Sequence, residues 1–196
     1  TVIADTQNLK YGGATVDAIP YVPEEVIRRI KVASKGFDII LVELGGTAGE
    51  YQNVVYYEAY RIMKLRQPQD VLHIHVTYFP LPKNVNELKS KPTQISVKLL
   101  NEMGIQPEFI VGRAEAEIDD KRKEKVAYYC NMDKDHVISN PDCDTIYELP
   151  LVFYEQNFDK LVLDELHLPI RRSNLTAWRD LVKRIKSKKR KKITIA

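Results

Sequence analysis

Three stretches of the sequence carry side chains whose types and spacing could do chemistry. The first is Lys89, Ser90, Lys91, Pro92, Thr93 and Gln94. Two ammonium groups flank a hydroxyl, and a proline stiffens the entry to a helix N-terminus. Ammonium groups, hydroxyls and the free N–H groups of a helix start together suit a polyphosphate. A solvated basic loop with Thr93 as a helix cap accounts for the same residues. The second stretch is Glu43-Leu-Gly-Gly-Thr-Ala-Gly49. A carboxylate at the end of an apolar run is costly to bury unpaired. A magnesium ion carried by nucleotide phosphates would pair with it, and the glycines allow a ligand close to the backbone. A tight strand–helix turn with Glu43 paired to a lysine is the alternative. The third stretch, Asp119-Asp-Lys-Arg-Lys-Glu-Lys125, reads as the charged, exposed start of a helix.

Other chemistries find no support in the pattern. His73, His75, His136 and His167 have no zinc-ligand spacing. His73 and His75 fall on one face of an expected strand, where a neighbour would satisfy them. There is no GxSxG elbow, catalytic-cysteine signature or GxxxxGKS/T phosphate loop.

The elements that must position these residues alternate between strand and helix. Pro23-Glu24-Glu25 reads as a helix start, with Val26, Ile27, Ile30 and Ala33 at helical spacing up to Gly36. Phe37 to Leu44 is a short apolar run and predicts a strand buried on both faces. A helix is expected over Tyr51–Leu65, a strand over Val71–Phe79, and a helix over Thr93–Met103 ending at Gly104. Phe109–Gly112 predicts a third strand, Asp120–Cys130 a helix, and Val137–Ser139 a fourth strand. Leu175, Trp178, Val182 and Ile185 mark a last helix capped by Asn174. This order implies an α/β fold with a mostly parallel sheet covered by helices on both faces.

Composition sets outer bounds. Hydrophobic residues make up 44% and charged residues 29% of the 196, the profile of a globular domain. No apolar run is long enough for a membrane span, and Thr1–Lys10 does not read as a signal peptide. Two cysteines, Cys130 and Cys143, fit free thiols in a reducing, cytoplasmic setting. The net charge of +3 conceals an asymmetry: residues 183–192 hold eight basic side chains and no acids, leaving 22 basic against 27 acidic elsewhere. Such a run is ordinarily solvated; it lacks the interleaved aromatics of a nucleic-acid binder, so nucleic acid is not the expected partner. The β-prone Ile193-Thr-Ile-Ala196 and the unsupported Thr1–Leu9 predict a piece of a longer polypeptide.

Taken together, the segments resemble the synthetase (amidoligase) domain of the CTP synthase family. The resemblance runs from about Tyr11 to Trp178. It is carried by Tyr11-Gly-Gly-Ala-Thr-Val-Asp-Ala-Ile-Pro20, Leu41-Val-Glu-Leu-Gly-Gly-Thr-Ala-Gly49, Glu58-Ala-Tyr-Arg61, His75-Val-Thr77, Glu87-Leu-Lys-Ser-Lys-Pro-Thr-Gln94, Gly104-Ile-Gln-Pro107 and Ile146-Tyr-Glu-Leu-Pro150. It implies a P-loop NTPase fold similar to dethiobiotin synthetase, a Rossmann-like three-layer arrangement. A dethiobiotin synthetase-like ligase or a non-catalytic nucleotide-binding or assembly module are the competing readings, and the lysine box argues against the first.

The resemblance also implies a reaction and a set of residues. ATP would phosphorylate the 4-oxygen of UTP, and ammonia from glutamine would displace that phosphate to give CTP. Glu43 matches the magnesium-binding carboxylate. Lys89, Ser90, Lys91, Pro92, Thr93, Gln94 and Lys125 match residues that hold the UTP or CTP triphosphate. Glu50, Tyr51 and Gln52 match the strip linked to CTP inhibition. Arg113, Pro141, Asp142 and Cys143 match positions near ATP. GTP as an activator and a homotetramer with sites at subunit interfaces are further implications. The chain departs from the family pattern at Glu50, Gln52, Ser90 and Ile95, where aspartate, glutamate, threonine and histidine are usual.

The expected organisation is a partial synthetase domain over 1–182 and a basic linker over 183–196 leading to a glutamine amidotransferase domain. The family's phosphate loop and second magnesium-binding aspartate would precede Tyr11, so the 196 residues alone are expected not to make CTP. Glu43 is expected at the carboxyl end of a strand, sharing a pocket with Lys89, Lys91 and Lys125.

Overall fold

The computed structural model describes residues 1–171 and 173–187. The chain divides into two compact units, Thr1–His73 with Ile95–Pro107, and Ile74–Gln94 with Glu108–Ala196. The second holds a parallel sheet in the order β1 (Ile74–Phe79), β2 (Phe109–Ala114), β3 (Val137–Pro141). Ile74 lies opposite Phe109 and Phe79 opposite Ala114, while Ile110 lies opposite Val137 and Ala114 opposite Pro141. Phe109, Ile110, Val111 and Gly112 are buried in succession, so β2 is covered on both faces, as a central parallel strand requires.

Helix α5 (Asp120–Cys130) has the length its sequence predicts. Asp119 caps it by accepting the Arg122 N–H at 2.9 Å, and Asn131 ends it in the left-handed region at φ 54°. The β3 backbone is closed by a side chain. The Gln156 amide accepts the Ser139 N–H and donates to the Ser139 carbonyl, both at 2.8 Å, as a neighbouring strand would. Gln156 follows α6 (Leu149–Glu155) and precedes α7 (Phe158–Glu165); neither short helix is expected from the sequence. In α8 (Thr176–Lys186), Trp178 donates to the Tyr147 carbonyl at 2.7 Å, and the Asn174 side chain accepts the Thr176 N–H at 3.0 Å. The basic run therefore begins inside a helix; its residues 188–196 lie outside the described residues.

The first unit contains α1 (Val2–Gln7), α2 (Ala18–Ala33), α3 (Val54–Arg66) and the C-terminal part of α4 (Lys91–Glu102). Its core is Tyr57, Leu100 and Ile105, packed by Ala48, Tyr60 and Met103. α2 starts before the expected Pro23: a non-helical Ile19 precedes the regular stretch, and Pro20 and Pro23 fall within about its first turn, where few N–H groups have an intrahelical partner.

The expected strand over 37–44 is not formed. The segment is irregular and belongs to no sheet, with Phe37 70% and Leu41 92% exposed. An apolar run states that a segment tolerates burial; it does not supply the neighbour whose N–H and C=O groups a strand must pair with. β1 likewise starts at Ile74 and leaves Val71–His73 outside the strand, so His73 and His75 do not share a strand face.

Candidate functional site

In an open parallel sheet, ligands bind beyond the carboxyl ends of the strands. The loop leaving β1 brings the lysine box there. The Lys89 N–H donates to the Pro80 carbonyl at 2.9 Å, and Leu88 is buried, so the backbone is anchored just before the box. α4 begins at Lys91, two residues before its expected start. The Gln94 N–H reaches the Ser90 carbonyl and the Gln94 amide reaches the Ser90 hydroxyl, each at 3.1 Å, which makes Ser90 the entry to the helix. Thr93 is fully buried, and its hydroxyl lies 3.1 Å from that of Thr77 on β1. Thr93 is thus committed to joining helix and strand, whereas Lys91 and Pro92 are exposed.

Lys125 sits on α5, and its charge reaches the lysine-box loop through Glu87. The Glu87 carboxylate is held below the usual carboxylate range chiefly by its hydrogen bond with Lys89, then by the charges of Lys89, Arg122 and Lys125. Among the described residues, neither Lys91 nor Lys125 makes an ion pair. Glu87 and Arg122 are not singled out by the sequence. Their signal was the placement of Glu87 two residues before Lys89 and of Arg122 within Asp119–Lys125, a charge run whose ordinary meaning is a solvated helix start.

Arg113, Pro141, Asp142 and Cys143 gather at the ends of β2 and β3. Arg113 is exposed and in register with Asn140, and the Asp142 N–H donates to the Ala114 carbonyl at 2.9 Å. Burial raises the Cys143 thiol pKa, as do the nearby carboxylates of Glu148, Asp142 and Asp144.

The remaining candidates lie in the first unit. Glu50 closes the Gly45–Gly49 turn: its carboxylate accepts the Thr47 N–H at 2.8 Å and the Thr47 hydroxyl at 3.0 Å, and these bonds lower its pKa. The Gln52 amide donates to the other Glu50 oxygen at 3.1 Å, and buried Asn53 donates to the Gly45 carbonyl at 2.8 Å. Gly46 has φ +91°, and a Cβ there would lie 2.4 Å from Glu50 Oε2. The turn thus needs glycine for both conformation and space. Tyr51 is 94% exposed beside it.

Glu43 is exposed and in no strand, which corrects its expected place at a strand's carboxyl end. Its oxygen donors match the hard-ligand preference of magnesium. Among the described residues there is no group of three or more His, Cys, Asp or Glu able to hold a metal. Magnesium at Glu43 would therefore need phosphate oxygens as co-ligands, which is how such sites are usually completed.

The sequence model described as CTP synthase N-terminus matches residues 1–168. The chain belongs to the CTP synthase family. It is 43% identical over 173 residues to the CTP synthase of Hydrogenobaculum sp., with 88% of this chain and 32% of that protein covered. The CTP synthase of Bdellovibrio bacteriovorus is 42% identical, with 93% and 34% covered, and that of Methanocaldococcus jannaschii 41%, with 94% and 34% covered. The chain spans about a third of the length of these relatives. The α/β fold with a parallel sheet is as expected for the family. Among the described residues, no helix is long and apolar enough to cross a membrane.

Proposed function

We propose that this chain supplies the UTP-binding and phosphoryl-transfer part of an enzyme that aminates UTP to CTP. The observation that carries the reading is the lysine box anchored beyond the carboxyl end of β1, with the Lys89 ammonium 3.0 Å from the Glu87 carboxylate, in a chain of the CTP synthase family. In the proposed reaction the 4-oxygen of UTP attacks the γ-phosphorus of ATP, releasing ADP. Ammonia then adds at C4, and phosphate leaves as a proton is lost. Phosphorylation turns a poor leaving group into a good one, and fixed cations offset the developing charge.

Lys89, Lys91 and Lys125 would neutralise the UTP or CTP triphosphate; Ser90 and Thr93 position the helix start from which Gln94 acts. Arg113 and Pro141–Cys143 would line the ATP side. Glu43 would hold magnesium together with phosphate oxygens, and the ion would supply charge neutralisation. Glu50, Tyr51 and Gln52 form the proposed CTP-responsive strip. Glutamine-derived ammonia, GTP activation, tetramer assembly and a cytoplasmic setting belong to the same reading.

The test is calorimetric titration of the 196-residue chain with UTP, CTP and uridine. UTP and CTP binding that uridine does not reproduce, and that Lys89→Ala weakens, supports the assignment. Equal binding of uridine, or no effect of Lys89→Ala, sinks it.

A further inference from the structure

We propose that the Glu87 carboxylate is an internal occupant of the cation pair formed by Lys89 and Arg122, one that an incoming polyphosphate must displace. The inference rests on the reading of the lysine box as a nucleotide-phosphate site, and adds a built-in competitor to it. Each Glu87 oxygen faces a different cation. Oε2 lies 3.0 Å from the Lys89 ammonium, and Oε1 lies 3.5 Å from the Arg122 guanidinium. Lys125 contributes its charge to the same carboxylate from α5. Held between two cations from two segments, the carboxylate makes the charge-assisted contacts that a phosphate oxygen would make there.

The way these groups are held makes exchange feasible. Arg122 donates to the Leu88 carbonyl at 3.2 Å and pairs with Asp119, so it stays in place when Glu87 leaves. The Glu87 side chain is 52% exposed, leaving it open to an arriving anion and free to rotate into water. Its backbone is tethered beside buried Leu88, so the carboxylate remains nearby as a competitor. Glu87 brings one negative charge, while a triphosphate brings several, so the exchange favours the polyphosphate. The occupied fraction lowers the apparent affinity for every phosphate ligand. A half-exposed pair holds weakly, which limits this effect to a few-fold.

The experiment measures binding of inorganic tripolyphosphate to the 196-residue chain and to four variants. Glu87→Gln is expected to bind about two- to fivefold tighter. Glu87→Asp, which keeps the charge, should stay within about twofold of the parent. Glu155→Gln, an exposed carboxylate elsewhere, should leave binding unchanged. Lys89→Ala should weaken it. Unchanged or weaker binding by Glu87→Gln, or equal tightening by Glu155→Gln, overturns the inference while leaving the phosphate site standing, provided Lys89→Ala weakens binding. No effect of Lys89→Ala removes the phosphate site and the competitor with it.

Discussion

The hydroxyls of Thr77 and Thr93 lie 3.1 Å apart, joining the middle of β1 to the first turn of α4. Thr93 is wholly buried, so removing its hydroxyl leaves Thr77 with one partner fewer in a place water reaches poorly. Thr93→Val is expected to cost about 1 kcal/mol, read as a lower urea midpoint at unchanged slope. A double-mutant cycle with Thr77→Val should show coupling of about 0.5 kcal/mol or more. Additive single effects would mean that the hydroxyls do not depend on each other.

Gly112 in β2 has no space for a side chain. A Cβ there would lie 2.5 Å from both Ile118 Cδ1 and Phe79 Cε2, and both side chains are almost fully buried. Overpacking of this kind costs about 1–3 kcal/mol. Gly112→Ala should therefore lower the melting temperature, and the loss should shrink when Phe79→Leu is added, because that change removes the nearer ring atoms. Failure of Phe79→Leu to reduce the loss would place the strain elsewhere.

How much of this was legible in the sequence follows from what each signal encodes. α5 was readable over its whole length because the charged run Asp119–Lys125 that marks its start is a local feature, while the Asp119 cap and the left-handed Asn131 that bound it came from the structure. Phe109–Gly112 was readable because a central parallel strand is apolar on both faces. The apolar 37–44 run gave the same signal without a ladder to join, and sequence periodicity does not encode the partner. α6 and α7 were not legible: each is short, and the Asn157 at φ 56° between them interrupts any long helical pattern. At the candidate site the cations were readable one by one. The convergence of Lys89 and Arg122 on Glu87 depends on how α5 docks beside the loop, and no local pattern records that.

The two thiols should react at very different rates. Cys130 is buried, and desolvation pushes its pKa up to about 11. Cys143 is partly exposed, its thiol pKa raised by burial and neighbouring carboxylates. The thiolate is the reactive form. At pH 8, iodoacetamide is expected to modify Cys143 slowly and Cys130 only after unfolding, with peptide mass spectrometry as the readout. Modification of Cys130 before Cys143 in the native protein would contradict the burial of the Cys130 side chain.

Acid should weaken the fold through His73. Its imidazole packs edge-to-face on Tyr60 at 5.0 Å between centroids, and burial lowers its pKa from 6.5 to about 4. Above pH 6.5 the ring is neutral in both folded and unfolded chains and costs nothing. As pH falls from about 6.5 toward 4, the unfolded chain takes up a proton that the folded one resists, so stability is lost across that window. The loss from this group is on the order of 3 kcal/mol when complete. The His73 ring proton shifts in NMR should titrate near pH 4; a midpoint near 6.5 would remove the effect.

The sharpest division lies between lysines that would hold phosphate and a lysine that holds backbone. Lys64 donates to the Pro68 carbonyl at 2.9 Å and to the Val71 carbonyl at 2.7 Å, which clasps the loop leaving α3. Its loss should lower stability by about 1–2 kcal/mol and leave nucleotide affinity alone. Lys91 is exposed at the start of α4, Lys125 lies on α5, and Lys89 is engaged by one half-exposed carboxylate, so their loss should change stability little. Each would contribute a charge-assisted bond to a triphosphate, worth about 1.5–3 kcal/mol or roughly ten- to over a hundredfold in affinity. Measuring UTP affinity and urea midpoints for Lys64→Ala, Lys89→Ala, Lys91→Ala and Lys125→Ala separates the two roles. The expected pattern is crossed: Lys64→Ala moves only the midpoint, and the other three move chiefly the affinity. If Lys64→Ala weakens UTP binding as much as the others, the phosphate assignment fails, and the box is a basic surface loop whose order comes from Thr93 and Pro80 alone.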